Sequence, residues 1–264
     1  MILIDNVPIS SVILDMDGVL WRSNEPLCDL KKLFSSLEKM KIKVLMATNN
    51  GLNTVDQYIL KFHGFGVHIK PWQVVTSAMA TGYLVKQHFP DGGPIYIMGE
   101  EALFITLEEY NFYHSEKYAQ AVVAGLTKQF TYDMLKSTSF MIQKGLPFYF
   151  TNPDPTYPSP EGNIPGAGTV LAALETASGV KAHIAGKPLP FLFDLGMERL
   201  NSKPYETLVI GDRMSTDIKG GQESGCMTAL VLTGVSTEED YMKWFPKPNL
   251  LLKNIMDLFS CIKS

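Results

Sequence analysis

Cysteine is scarce in this 264-residue chain: Cys28, Cys226 and Cys261 form an odd set without CxxC spacing. That excludes a disulfide framework and a structural zinc site, and it suits a reducing compartment. No block of like charge stands out either. The net charge is −4 with acids and bases interspersed, so no basic footprint points to nucleic acid and no polybasic cluster to a membrane surface. No apolar run reaches membrane-spanning length, and the first basic residue is Arg22, so the N-terminus lacks the charged start of a secretory signal. The expected location is the cytoplasm. Repeats and low-complexity segments are missing as well, apart from the proline-dense stretch 152–160, which reads as a constrained loop. His63, His68, His88, His114 and His183 are scattered without ligand spacing. Pro165-Gly-Ala-Gly168 lacks the third glycine and the preceding strand of a dinucleotide fingerprint, and Gly186-Lys187 has no P-loop glycine upstream.

What is present begins at Ser11. Val12, Ile13 and Leu14 have the composition of a strand buried on both faces of a parallel sheet, and Asp15 and Asp17 follow at its carboxyl end. Two residues apart on extended chain, the acids point the same way, and Gly18 lets the chain turn off the strand. A divalent cation relieves their repulsion, leaving one carboxylate to act as nucleophile and its neighbour to shuttle a proton. An acidic turn without chemistry is the competing reading, so the motif needs support from elsewhere.

That support comes at three further strand ends. Ile42–Ala47 reads as a second buried strand and ends in Thr48-Asn49-Asn50-Gly51, either a helix-capping turn or a cradle of hydroxyl and amide groups for phosphate oxygens. Val180–Gly186 reads as a strand returning the chain to the first lobe, ending in Gly186-Lys187-Pro188; the lysine is a countercharge for a phosphoryl group or an ordinary surface lysine. Thr207–Asp212 repeats the opening design, and Arg213-Met-Ser-Thr-Asp217 adds a further acid. In an open α/β sheet the carboxyl ends of strands share one crevice, so these groups can converge.

Helical spacing predicts helices at 27–40, 55–63, 72–89, 101–110, 132–143, 168–178, 191–200 and 254–262, with 21–26 as a loop. Strands are expected at 95–98, 121–125, 147–150 and 228–232. The breakers Pro90-Asp-Gly-Gly-Pro94 mark a domain boundary, which gives a discontinuous core, 1–90 and 184–264, around an inserted α/β domain, 91–183.

Asp15-Met-Asp-Gly-Val-Leu-Trp21, Thr48-Asn-Asn50, Gly186-Lys-Pro188 and Gly211-Asp-Arg-Met-Ser-Thr-Asp217 resemble the four ordered motifs of the haloacid dehalogenase (HAD) superfamily. Gly125-Leu126 with Tyr132, Thr151-Asn-Pro-Asp154, Pro165-Gly-Ala-Gly168 and Leu232-Thr-Gly-Val235 resemble its NagD-like, p-nitrophenyl-phosphatase-like (type IIA) subfamily. The resemblance implies a Rossmann-like α/β core with a parallel sheet and an inserted, C2-type α/β cap. It implies a phosphatase of small phosphomonoesters with Asp15 as nucleophile, forming an aspartyl-phosphate, and Asp17 as acid and base. Mg²⁺ is then held by Asp15, Asp212 and the Asp17 carbonyl, with Asp217 in support. Thr48, the amides around Asn49 and Asn50, and Lys187 bind the phosphoryl oxygens. Tyr157 in the proline loop either faces the leaving group or shapes the loop. A homodimer through the cap agrees with the resemblance. Two rivals stand beside this reading: a signalling module phosphorylated on aspartate, disfavoured by the inserted lobe and by Asp17, and a non-catalytic sensor of a phosphorylated metabolite.

Overall fold

Unbroken apolar runs make the interior of the first of two units. In the computed structural model, which describes residues 2–159 and 162–261, the chain divides into one unit of residues 1–48, 55–75 and 193–264 and another of 49–54 and 76–192. Pro160 of the proline loop and Ile262 of the last expected helix lie outside the described residues.

The first unit carries a six-stranded sheet in the spatial order Leu250–Leu252, Met227–Val231, Thr207–Gly211, Ser11–Leu14, Lys43–Thr48, Val74–Thr76. Numbered along the chain, the order is 3-2-1-4-5-6, the arrangement of the doubly wound Rossmann fold. The pairings from Leu250–Leu252 across to Lys43–Thr48 are parallel. The reversal of strand order falls between Ser11–Leu14 and Thr207–Gly211, paired in the register Ile210 to Leu14. Both strands are buried throughout, as their composition requires of a sheet covered on both faces. Helix Leu30–Lys39 buries Leu30, Leu33 and Leu37 and starts where Asp29 accepts from the Lys32 N–H at 3.0 Å.

The second unit has its own five-stranded parallel sheet, in the order His183–Ile184, Phe148–Phe150, Val122–Ala124, Gly93–Met98, Phe112–His114. Helices Tyr132–Gln143 and Ala167–Ser178 supply Met141, Ile142, Val170, Leu171 and Leu174 to its core. Thr156–Ser159 and Gly162–Pro165 pair as an antiparallel hairpin, in which Tyr157 lies opposite Ile164.

Several expectations need correction. Residues 72–89 are not one helix: a 3₁₀ turn at Pro71–Gln73 and strand Val74–Thr76 precede helix Ser77–His88, because Thr76 caps that helix by accepting from the Met79 N–H. The 21–26 segment is a small hairpin, Trp21–Arg22 against Glu25–Pro26. The strand expected at 180–186 is His183–Ile184, and it is an edge of the second unit's sheet instead of a return to the first. The last helix is 3₁₀ over Ile255–Cys261. No helix of the described residues is long and apolar enough to cross a membrane.

Candidate active site

The reversal of strand order is where the acids gather. Asp15 follows Leu14, its N–H bonded to the Ile210 carbonyl at 2.9 Å, and Asp212 follows Gly211 on the neighbouring strand. Asp217 comes back to the same place through a π-helical turn, Met214–Ile218, in which the Asp217 and Ile218 N–H groups both donate to the Arg213 carbonyl. Each of Asp15, Asp212 and Asp217 offers one carboxylate oxygen, and the three lie within 4.8 Å of one another. Asp212 and Asp217 are buried and Asp15 partly so. Three like charges so close repel, and the donor set is purely oxygen, without histidine or thiolate. That chemistry fits a hard divalent cation.

The carboxylates are held by their own loops. Asp212 Oδ2 accepts from the Val235 N–H at 2.7 Å, and its main-chain carbonyl accepts from the Ser236 N–H at 2.9 Å. Asp217 Oδ2 accepts from the Arg213 N–H at 3.2 Å and from Thr216 Oγ1 at 3.3 Å. Gly18 has φ of +85°, and any Cβ there would run into the Asp212 carboxylate, so the turn after Asp17 needs glycine on both counts. Thr48 ends the strand next to Asp15 and is 3% exposed.

The Asp17 carboxylate is not a member of this trio. Its Oδ1 accepts from the indole N–H of Trp21 at 3.1 Å. The turn between them is tied by the Gly18 N–H to the Trp21 carbonyl at 2.8 Å, and Thr233 Oγ1 donates to the Gly18 carbonyl at 2.5 Å.

The second unit contains the other sequence candidates. Asn49 grips Lys187 at the main chain from both sides: Oδ1 accepts from the Lys187 N–H at 2.8 Å, and Nδ2 donates to the Lys187 carbonyl at 2.9 Å. The same Nδ2 donates to Asp154 Oδ2 at 2.7 Å, which also accepts from Asn152 Nδ2 at 2.9 Å. Asn49, Asn152 and Lys187 are all buried. The Asn49 side chain therefore acts as a clasp on the Gly186-Lys187 turn. Asn50 Oδ1 accepts from the Leu52 N–H at 3.0 Å, an Asx turn leading toward helix Val55–Gly64. Tyr157 is partly buried in its hairpin.

Sequence reasoning assigns no role to Trp21, Asp154, Thr233 or Gly234. The motifs that contain the last three, Thr151-Asn-Pro-Asp154 and Leu232-Thr-Gly-Val235, are visible as resemblances, but only the fold shows what they grip.

Residues 12–113 match the haloacid dehalogenase-like hydrolase family, and residues 184–258 match the HAD-hydrolase-like family. The chain is 31% identical over 251 residues to the dihydroxyacetone phosphatase of Corynebacterium glutamicum (strain R), covering 95% of this chain and 91% of that protein. Its fold matches the solved structure of NagD from Escherichia coli K-12 with a TM-score of 0.87 and 28% identity, over 94% and 97% of the two chains. It also matches the glycerol phosphate phosphatase of Mycobacterium tuberculosis, solved in complex with magnesium. There the TM-score is 0.87 and the identity 29%, over 95% of this chain and 76% of that one.

Proposed function

Since this chain belongs to the haloacid dehalogenase-like hydrolases, among the NagD-like phosphatases, we propose that it is a Mg²⁺-dependent phosphomonoester phosphatase for a small phosphorylated metabolite. The observation that carries the reading is the convergence of Asp15, Asp212 and Asp217, from opposite ends of the sequence, at the reversal of strand order.

In this reading Asp15 attacks phosphorus in line. The ester P–O bond breaks, its electron pair leaves with the ester oxygen, and that oxygen takes the proton of Asp17. Water then attacks the phosphorus of the aspartyl-phosphate and gives its proton to Asp17, and the bond to Asp15 breaks to release inorganic phosphate. The carboxylates of Asp15 and Asp212 and the carbonyl of Asp17, with Asp217 in support, would hold Mg²⁺, which would supply neutralising charge for the phosphoryl oxygens. Thr48, the main-chain amides around Asn49 and Asn50, and Lys187 bind those oxygens; this rests on the motifs, and the clasp on Lys187 supports it for that residue. The inserted unit is assigned the part of a cap that selects the substrate, with Tyr157 its first candidate. The names of two relatives direct attention to three-carbon phosphates, and that of another to sugar phosphates.

Purified protein is expected to release phosphate from p-nitrophenyl phosphate only with Mg²⁺, and Asp15→Asn to abolish release. Activity that survives Asp15→Asn refutes the nucleophile. A screen of phosphomonoesters ranked by kcat/KM identifies the substrate class.

A further inference from the structure

Trp21 is completely buried, yet its one polar atom is spent on Asp17: the indole Nε1 stands 3.1 Å from Oδ1. A buried indole N–H normally finds an acceptor, and main-chain carbonyls are the commonest acceptors in any core. Here the acceptor is a carboxylate two residues beyond Asp15. The indole has little freedom to leave it. Phe62 meets the ring edge-on at 4.9 Å between centroids, Phe65 stacks at 5.8 Å, and Lys61 Nζ sits 4.2 Å from the ring centre while donating to the Ser23 carbonyl at 2.7 Å. The main chain fixes the same pair, since Asp17 and Trp21 form a β-bridge and Leu20 N–H closes the turn on the Met16 carbonyl at 2.8 Å.

We propose that Trp21 is a positioning residue for proton transfer by Asp17. An indole N–H can only donate, so Oδ1 is held as an acceptor and the proton is delivered and recovered at Oδ2. The inference rests on the phosphatase reading above, in which the departing ester oxygen gains that proton as the P–O bond breaks. Loss of the indole N–H removes one restraint on the orientation of the carboxyl group, and protonation of the leaving oxygen falls out of step with bond breaking.

The test compares phenyl phosphate with p-nitrophenyl phosphate. The rings bind alike, but phenol is the poorer leaving group and depends more on protonation. kcat/KM reports the first irreversible step, the transfer to Asp15. In Trp21→Phe, kcat/KM for phenyl phosphate is expected to fall about tenfold or more, and that for p-nitrophenyl phosphate about threefold or less. Replacing Trp21 by β-(3-benzothienyl)alanine, which keeps the ring and loses the N–H, gives the same split even where Trp21→Phe does not fold. In ¹H–¹⁵N spectra of the metal-free protein, the Trp21 indole resonance moves on Asp17→Asn. Equal losses on both substrates, or an indole resonance indifferent to Asp17→Asn, overturn the proposal. Wild-type protein that hydrolyses neither substrate with Mg²⁺ instead overturns the phosphatase reading, and the role of Trp21 in it.

Discussion

Gly234 lies against Asp212 so closely that a Cβ there would overlap the carboxylate, while the next N–H along, that of Val235, holds Oδ2 at 2.7 Å. The loop thus both makes room for Asp212 and aims it. Gly234→Ala is expected to displace the carboxylate from Asp15 and Asp217 while leaving the sheet intact. Mg²⁺ should then raise the melting temperature of the wild type and not that of the variant; at about 100 times its dissociation constant a ligand contributes about 2.7 kcal/mol. Equal Mg²⁺ shifts in both proteins would count against the loop's role.

Crowding of Asp15, Asp212 and Asp217 costs stability whenever no cation is bound. Asp15→Asn removes one of the three charges. In EDTA it should unfold at higher denaturant than the wild type, by roughly 1–3 kcal/mol, with no turnover when Mg²⁺ is restored. A variant less stable than wild type in EDTA contradicts the repulsion.

Asn49 makes three hydrogen bonds with its side-chain amide, two of them to the main chain of Lys187. Asn49→Ala leaves a buried N–H and C=O without that partner, at an expected cost of about 1–3 kcal/mol in denaturant unfolding. If Lys187 binds the phosphoryl group, KM for p-nitrophenyl phosphate should rise more than kcat falls. A change in kcat alone would separate the clasp from substrate binding.

Cys226 gives a pH dependence of known sign. Burial, with Asp194 nearby, pushes its thiol from the ordinary 9.0 up to about 12. Unfolded chains release this proton near pH 9 and folded ones do not, so the favourable contribution is complete below pH 9 and is lost between pH 9 and 12 as pH rises. Its share of the slope is at most about 1.4 kcal/mol per pH unit. Cys226→Ala should lower stability at neutral pH and flatten the alkaline decline, as measured by urea unfolding across that range.

The strands that place the acids are legible in the sequence because parallel, doubly covered strands read as continuous apolar runs, as in Val12-Ile-Leu14 and Leu208-Val-Ile210. Amphipathic helices such as Leu30–Lys39 and Tyr132–Gln143 are legible through their periodicity. Short elements are not. Val74–Thr76 is only three residues long and runs straight into a helix, so the apolar pattern has no break to read, and Leu250–Leu252 is an edge strand of the same length. At the site, the residue types at strand ends point to the chemistry, but side-chain grips across long separations leave no periodic mark. Asn49 on Lys187 spans 138 residues, and Arg22 on the Thr233 carbonyl spans 211. Composition says nothing about which amide holds which turn.

At the opposite end of the two acid-bearing strands, Ser11 Oγ and Thr207 Oγ1 share a fully buried hydrogen bond of 3.0 Å over a sequence separation of 196. Together with the ladder between those strands, it ties the starts of the two acid-bearing strands directly to each other. Residues 77–192 supply no strand to that sheet, so a change of length or sequence among them leaves untouched the pairing that sets Asp15 beside Asp212.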